Sequence, residues 1–359
     1  MRAHRETRST SPRERRRGKR RNMRIVHVTE CFAGGVSRAI NTAVALAPQH
    51  DHHLIFAGED TPDQSRFQTI SRLPRGLLRR VSCVRKHTLR LRPDLVHAHS
   101  SWAGVYTRTF KLPAPVVYQP HCYKFDDPFS PSALRSFYRA AETLLSRNTA
   151  AVAVLSPHEN RLAQKLSPTT PTYYVPNVPS VRPRRSPSSD GPARVYMIGR
   201  LSQQKDPGHF RDVAIRVRKS SDAEFVWIGD GDSRARQDLE ANGVTVTGWL
   251  DRDGMDEWLT KPGIYYHSAG YEGFPLSILD AAAFGHPIIA RKIDALADLS
   301  IPQFSNADAA AQALIRLLEG DEEHLTAARR ARDEILNSMT EMRQASALEA
   351  LYREVTRGK

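Results

Sequence analysis

Residues 271–280 read YEGFPLSILD: two acids eight positions apart, with Gly, Phe, Pro and an apolar run between them. Proline suits the first turn of a helix, where its missing N–H leaves no bond unmade. The segment therefore predicts a loop carrying Glu272 and a helix that opens near Phe274 or Pro275, with Asp280 inside it. At ~1.5 Å of rise per residue, Asp280 lies on the order of 8 Å along the axis from the helix start. The first amides of a helix have no intrahelical partner and form an anion site. The order is thus acid, anion pocket, acid. The same residues also fit a plainer pattern, a first-turn acid and a solvated helix face.

Outward from this segment, short β-branched runs alternate with helical stretches. Strands are expected at 194–199, 224–229, 244–248, 263–268 and 287–291, with helices near 207–218, 232–241, 252–259 and 275–285. The first half shows the same rhythm: strands at 24–29, 52–58, 94–100, 115–120 and 150–156, helices at 36–47, 101–110, 131–147 and 157–165. Such alternation describes parallel sheets with crossover helices. The expected fold class is α/β, two doubly wound Rossmann-like domains facing a central cleft where the carboxyl ends of both sheets meet. The expected domains are 23–179 and 194–339, joined by a Pro-, Ser- and Arg-rich linker, 180–193. Helices at about 306–335 and 340–356 close the chain, and the segment 340–359 can pack back on the first domain.

A chain of 359 residues with 40% hydrophobic and 26% charged residues fits two globular domains. No apolar run approaches the ~20 residues of a membrane span, and the basic N-terminus leads into no signal-peptide core. Cys31, Cys83 and Cys122 are odd in number and widely spaced, which suits a reducing cytoplasm and argues against a disulfide framework or structural zinc. Within the net charge of +14, residues 1–22 hold ten Arg and Lys against Glu6 and Glu14. That segment reads either as a disordered basic tail or as an upstream extension, with Met23 the true start. A second basic block, residues 72–92, contains eight Arg and Lys and no acid. Leu77, Val81 and Val84 fall on one helical face there. The block fits a helix resting on an anionic membrane surface or a domain helix with a solvated basic face.

Several loops carry possible chemistry. In GRLSQQKDP, Arg200 and Lys205 follow a strand and precede a helix, a placement that suits a diphosphate; they also fit two exposed loop bases. Gly34 and Gly35 separate the first strand from the first helix, in neither a G-x-G-x-x-G nor a P-loop spacing. They suit a ligand close to the backbone or a tight turn. His97 and His99 share one strand face, with no third metal ligand visible. His121, at a strand end, suits a hydrogen bond to substrate or a structural role.

The order of these motifs is distinctive. Gly-Gly after the first strand, PH after a mid-chain strand, VPN before the linker, GR-x4-K, IGDGD and EGFPLSILDAAAFGHPIIA together resemble the family 4 glycosyltransferases of GT-B fold, over about residues 23–335. The resemblance implies retaining transfer of a sugar from a nucleotide diphosphate donor, without cofactor or bound metal. It implies that Arg200 and Lys205 neutralise the diphosphate, with the amides around Phe274, Pro275, Leu276 and Ser277. It implies that Glu272 faces the donor sugar, Asp280 accepts from the ribose hydroxyls, and His121 sits against the sugar. Gly34 and Gly35 then lie near the phosphates or the acceptor, and Leu250 near the base. Asp280 stands where the family usually has Glu, one methylene longer. The implied acceptor is a glycan or lipid-linked envelope intermediate, met in the cytoplasm at the inner membrane face. A nucleotide-sugar epimerase or a sugar phosphorylase is the alternative within enzymes. A basic nucleic-acid-binding protein is the alternative of another class, though no aromatic-interleaved basic motif supports specific readout.

Overall fold

The computed structural model describes residues 22–182 and 193–357. The expected basic tail, except for Asn22, and most of the expected linker lie outside the described residues. The first domain has seven strands: β1 (Arg24–Thr29), β2 (Asp51–Phe56), β3 (Thr69–Arg72), β4 (Leu95–His99), β5 (Val116–Gln119), β6 (Ala151–Val154) and β7 (Thr172–Tyr174). They form one parallel sheet in the order β3-β2-β1-β4-β5-β6-β7. The crossovers are α1 (Gly34–Leu46), α2 (Leu77–Leu91), α3 (Ser101–Arg108), α4 (Ser132–Leu145) and α5 (Pro157–Leu166).

The second domain repeats the plan with β8 (Arg194–Ile198), β9 (Glu224–Ile228), β10 (Thr245–Val246), β11 (Ile264–His267), β12 (Ile288–Arg291) and β13 (Gln303–Phe304), ordered β10-β9-β8-β11-β12-β13. Its helices are α6 (Pro207–Val217), α7 (Ser233–Ala241), α8 (Arg252–Leu259), α9 (Leu276–Ala283), α10 (Ala307–Leu318) and α11 (Glu322–Ser338). In both sheets the strand order reverses beside the first strand. Crevices form at the carboxyl ends of such switch points.

Alternation along the first sheet sorts its residues onto two faces. Val26, Val28, Val96, Tyr118 and Val152 build one core with Val84 of α2 and Ala103 of α3. Met23, Ile25, Leu95, Val117 and Ala153 build the other with Leu348, Leu351 and Tyr352 of α12 (Glu341–Thr356). The last helix thus returns from the second domain and covers a face of the first sheet.

Four expectations change. The single helix 306–335 is two helices, because Gly320 takes a left-handed φ of +80° and Asp321 starts α11 by accepting from the His324 amide. Pro275 does not open α9 but caps it, with an extended ψ of 122°, and the first helical residue is Leu276. Leu77 does not share the inner face of α2: Val84 is buried and Val81 packs beside it, whereas Leu77 is exposed. Finally, β3, β7 and β13 are strands that no periodicity announced, being only two to four residues long at or beside sheet edges.

Candidate active site

A cleft of about 940 Å³ opens between the domains, lined by Glu59 and Phe129 from the first and by Arg200, Asp206, Gly231 and Trp249 from the second. Arg200 follows β8, is half exposed, and lies 3.7 Å from Glu59 across the cleft. Its guanidinium also sits 5.8 Å from the centre of the Trp249 ring. Trp249, 62% exposed, lines the cleft. Leu250, the neighbour expected there, instead packs toward Gly254.

Lys205 turns inward and pairs with Glu272, whose side chain is only 9% exposed. Burial alone raises the pKa of such a carboxyl. Lys205 and His267 together outweigh it and hold Glu272 at about 2. His267 Nε2 lies 3.6 Å from the same carboxylate, and its Nδ1 is 3.0 Å from the Tyr265 hydroxyl. Gln204 donates to the Tyr271 carbonyl at 3.1 Å and so fastens the loop that carries Glu272. The result is an ionised acid in a fixed position at the carboxyl end of β11.

Beyond it, the Ile278 amide is taken by the Pro275 carbonyl, while the amides of Leu276 and Ser277 meet no protein acceptor among the described residues. The Phe274 carbonyl accepts from Asn177 at 3.1 Å, which gives the VPN motif its task. Gly35 faces Leu276 across the domain junction, so the N-termini of α1 and α9 converge. At α1, the Gly34 amide and the Ser37 hydroxyl donate to Asp60. Asp280 is fully buried and filled by protein donors: Arg38 Nη1 at 2.6 Å, the Ser180 amide at 2.8 Å and hydroxyl at 3.0 Å, and the Val181 amide at 3.2 Å. A ribose contact there requires these donors to be exchanged.

The first domain contributes His121, in a backbone that is unusual twice over: φ is +54° at His121 and +113° at Cys122. Neither residue adopts that region without cost, and such outliers persist where surroundings over-determine them. Two contacts do so here. Glu159, buried, accepts from the Cys122 amide at 3.0 Å and the Leu155 amide at 2.7 Å. Across the junction Gly273 presses on the same turn: a Cβ there falls 2.9 Å from the Cys122 nitrogen and 2.9 Å from the His121 carbonyl carbon. The glycine of EGF is therefore the point where the loops of Glu272 and His121 touch.

Three contributors escaped sequence reasoning. Glu159 sits in S-P-H-E, the spacing of a capping box, and Ser156 does cap α5 by accepting from the Glu159 amide. The carboxylate, however, goes to the strained turn, and burial pushes its pKa up to about 7. Trp249 stood one residue from the position expected to meet a base. His27, from β1, completes a trio with His97 and His99 whose ring nitrogens lie within 4.8 Å of one another, a spacing that could hold a metal ion. Their neighbour His52 is buried with them, and the half-buried His121 continues the same array.

Comparison with known proteins places the two-domain architecture in a family. A family model described as glycosyl transferases group 1 matches residues 192–320, and a glycosyl transferase 4-like domain matches residues 33–178. The chain is 23% identical over 317 residues to a GDP-mannose-dependent alpha-mannosyltransferase of Mycolicibacterium smegmatis, covering 78% of this chain and 82% of that protein. It is 23% identical over 295 residues to the UDP-Gal:alpha-D-GlcNAc-diphosphoundecaprenol alpha-1,3-galactosyltransferase of Escherichia coli, covering 72% and 75%. Among solved structures, sucrose-phosphate synthase of Thermosynechococcus elongatus aligns with a TM-score of 0.77 at 18% identity, over 94% of this chain and 100% of that one. Anabaena HepE, solved in complex with UDP and glucose, aligns with a TM-score of 0.74 at 16% identity, over 92% and 99%. With both halves matched and both sheets facing one cleft, the chain belongs to the family 4 glycosyltransferases and has the GT-B fold.

Proposed function

We propose that this glycosyltransferase moves a sugar, with retention, from a nucleotide diphosphate donor to a lipid-linked or cell-envelope glycan, working against an anionic membrane surface. The observation that carries the reading is Glu272, buried, held ionised by Lys205, and brought against the His121 turn at Gly273. Arg200 and the unpartnered amides of Leu276 and Ser277 suit the diphosphate, since fixed cations and oriented amides stabilise a departing anion. Trp249 beside Arg200 offers a flat surface for the base. Glu272 then faces the sugar as its anomeric carbon turns oxocarbenium-like. The bond to the diphosphate oxygen breaks, a bond to the acceptor oxygen forms on the same face, and the acceptor proton passes to the diphosphate.

The named activities of the two curated relatives favour such donors and, for one of them, a diphosphoundecaprenol-linked acceptor. The membrane assignment draws on α2, whose outer face shows Leu78, Arg79, Arg85, Lys86, Leu89 and Arg90. Next to it α3 exposes Trp102, and α4 beyond exposes Phe137 and Leu144. Apolar side chains among arginines on neighbouring helices fit a lipid interface. No helix among the described residues is long and apolar enough to cross a membrane.

The test is nucleotide release by the full chain from UDP-glucose and GDP-mannose, with and without extracted lipid-linked glycan. Release that depends on the glycan and is lost in a folded Glu272→Gln variant is expected. Normal turnover by that variant, or donor epimerisation without any acceptor, would overturn the reading.

A further inference from the structure

Five histidines of the first domain, His27, His52, His97 and His99 from its sheet and His121 from the turn after β5, project onto or beside the face that α12 covers. Four of them are joined end to end. His52 Nε2 is 2.9 Å from the Ala47 carbonyl, His52 Nδ1 is 3.0 Å from His27 Nε2, His27 Nδ1 is 3.0 Å from His99 Nε2, and His99 Nδ1 is 3.1 Å from His121 Nε2. The successive ring centres are 5.2, 5.3 and 5.4 Å apart, with planes inclined by 30°, 23° and 27°. Each centre-to-centre distance exceeds the nitrogen-to-nitrogen distance by about a ring width. The rings therefore meet edge to edge, as N–H···N bonds require, and not face to face.

One end of the chain has a fixed polarity. A carbonyl only accepts, so His52 carries its proton on Nε2. His27, His52 and His99 are buried away from water, and each of the three N···N contacts is too short to hold more than a single proton, so each ring holds one. His52 Nδ1 is then bare and accepts from His27 Nε2, His27 Nδ1 accepts from His99 Nε2, and His99 Nδ1 accepts from His121 Nε2. The last ring is partly exposed, lies in the strained turn against Gly273, and has no partner on Nδ1 among the described residues.

We propose that His52, His27 and His99 form a buried tautomer relay that fixes the proton of His121 on Nε2 and leaves a bare Nδ1 available to the cleft. His121 is thereby an acceptor only, and a ligand hydroxyl bound to that nitrogen must donate. His52, His27 and His99 are positioning residues: none touches substrate, and they act through His121. An unsupported imidazole exchanges its two tautomers. Here the Ala47 carbonyl, four hydrogen bonds away, selects one of them. The bearing on catalysis rests on the glycosyl-transfer reading, whereas the tautomers themselves do not.

The experiment is nitrogen-15 NMR of the ligand-free full chain with labelled histidine. His52, His27, His99 and His121 are expected as neutral Nε2–H tautomers. His52→Leu removes the polarising ring and should give mixed tautomers at His121. His52→Asn places an amide oxygen where Nδ1 was and should restore the single form. An Nδ1–H tautomer at His121 in the wild-type protein overturns the relay even if His52→Leu fails to fold. So does loss of these N–H signals on adding one equivalent of zinc, which would make His27, His97 and His99 metal ligands. In transfer from UDP-glucose or GDP-mannose, His52→Leu should lower kcat about tenfold, or ~1.4 kcal/mol of barrier. KM for the donor should be unchanged, and His52→Asn should recover the rate. Equal kcat in all three proteins overturns the positioning role. Failure of the wild-type chain to turn over either donor counts against the glycosyl-transfer reading, and the NMR result then decides the relay by itself.

Discussion

Replacing Lys205 by Met keeps most of the side chain's bulk and removes the charge that holds Glu272 ionised. Glu272 titrates near 4.5 when unfolded and at about 2 in the folded protein. Each pKa unit is worth about 1.4 kcal/mol, so the depression, to which Lys205 and His267 both contribute against burial, is worth about 3 kcal/mol at pH 7. The sign follows from the direction: a depressed carboxyl stabilises the fold above pH 4.5, and that contribution fades as pH falls toward 2. In Lys205→Met burial acts on Glu272 opposed by His267 alone, and burial favours the protonated acid. Stability at pH 7 should drop by about 3 kcal/mol, within the usual range for breaking a buried pair. The gap to wild type should narrow between pH 4.5 and 2. The double variant Lys205→Met/Glu272→Gln should be less destabilised than the sum of its parts, because no uncompensated charge remains. Urea unfolding followed by tryptophan fluorescence suits the measurement, since Trp227, Trp249 and Trp258 all report on the second domain. Lys205→Met melting like wild type at pH 7, or a gap that does not change with pH, refutes the reasoning.

Three further outcomes are expected. Gly273→Ala forces a Cβ to within 2.9 Å of the His121–Cys122 backbone; restoring an ordinary contact parts the loops by about half an ångström. Because a 1 Å misplacement can cost ~100-fold, transfer should fall about tenfold while each domain core melts normally. Asp280→Ala orphans the Ser180 and Val181 amides and frees Arg38, so thermal unfolding should show a loss of about 2 kcal/mol, whereas Asp280→Glu should recover part of it. Replacing Arg79 and Arg85 by Ser should weaken cosedimentation with phosphatidylglycerol vesicles roughly thirtyfold, about 1 kcal/mol for each charge. Equal binding to phosphatidylcholine would remove electrostatics from that account.

The sequence made the architecture legible where a local pattern sufficed. The short β-branched runs RIVHVT and EFVWIG and the Pro that precedes α9 each carry their own signal. Edge strands such as Gln303–Phe304 carry none, because pairing with β12 rather than periodicity makes them strands. Glu272 and Lys205 could be singled out by position in their loops, but their pairing joins residues 67 apart. Asp280 shows the limit more sharply. Its place on the helix was predictable, yet its partner Arg38 comes from 242 residues away in the other domain. The imidazole chain is assembled from three strands and a loop, so only the strand register of β2, β1 and β4 brings it into line. Glu159 spends its carboxylate on backbone amides, and no side-chain motif records that.

The most direct test of the central claim is a crystal structure of the full chain with a bound nucleotide sugar, UDP-glucose or GDP-mannose being the first choices. The diphosphate is expected between Arg200 and the first turn of α9, the base beside Trp249, and the sugar between Glu272 and His121. A donor bound away from the cleft, or with its sugar remote from Glu272, would contradict that claim.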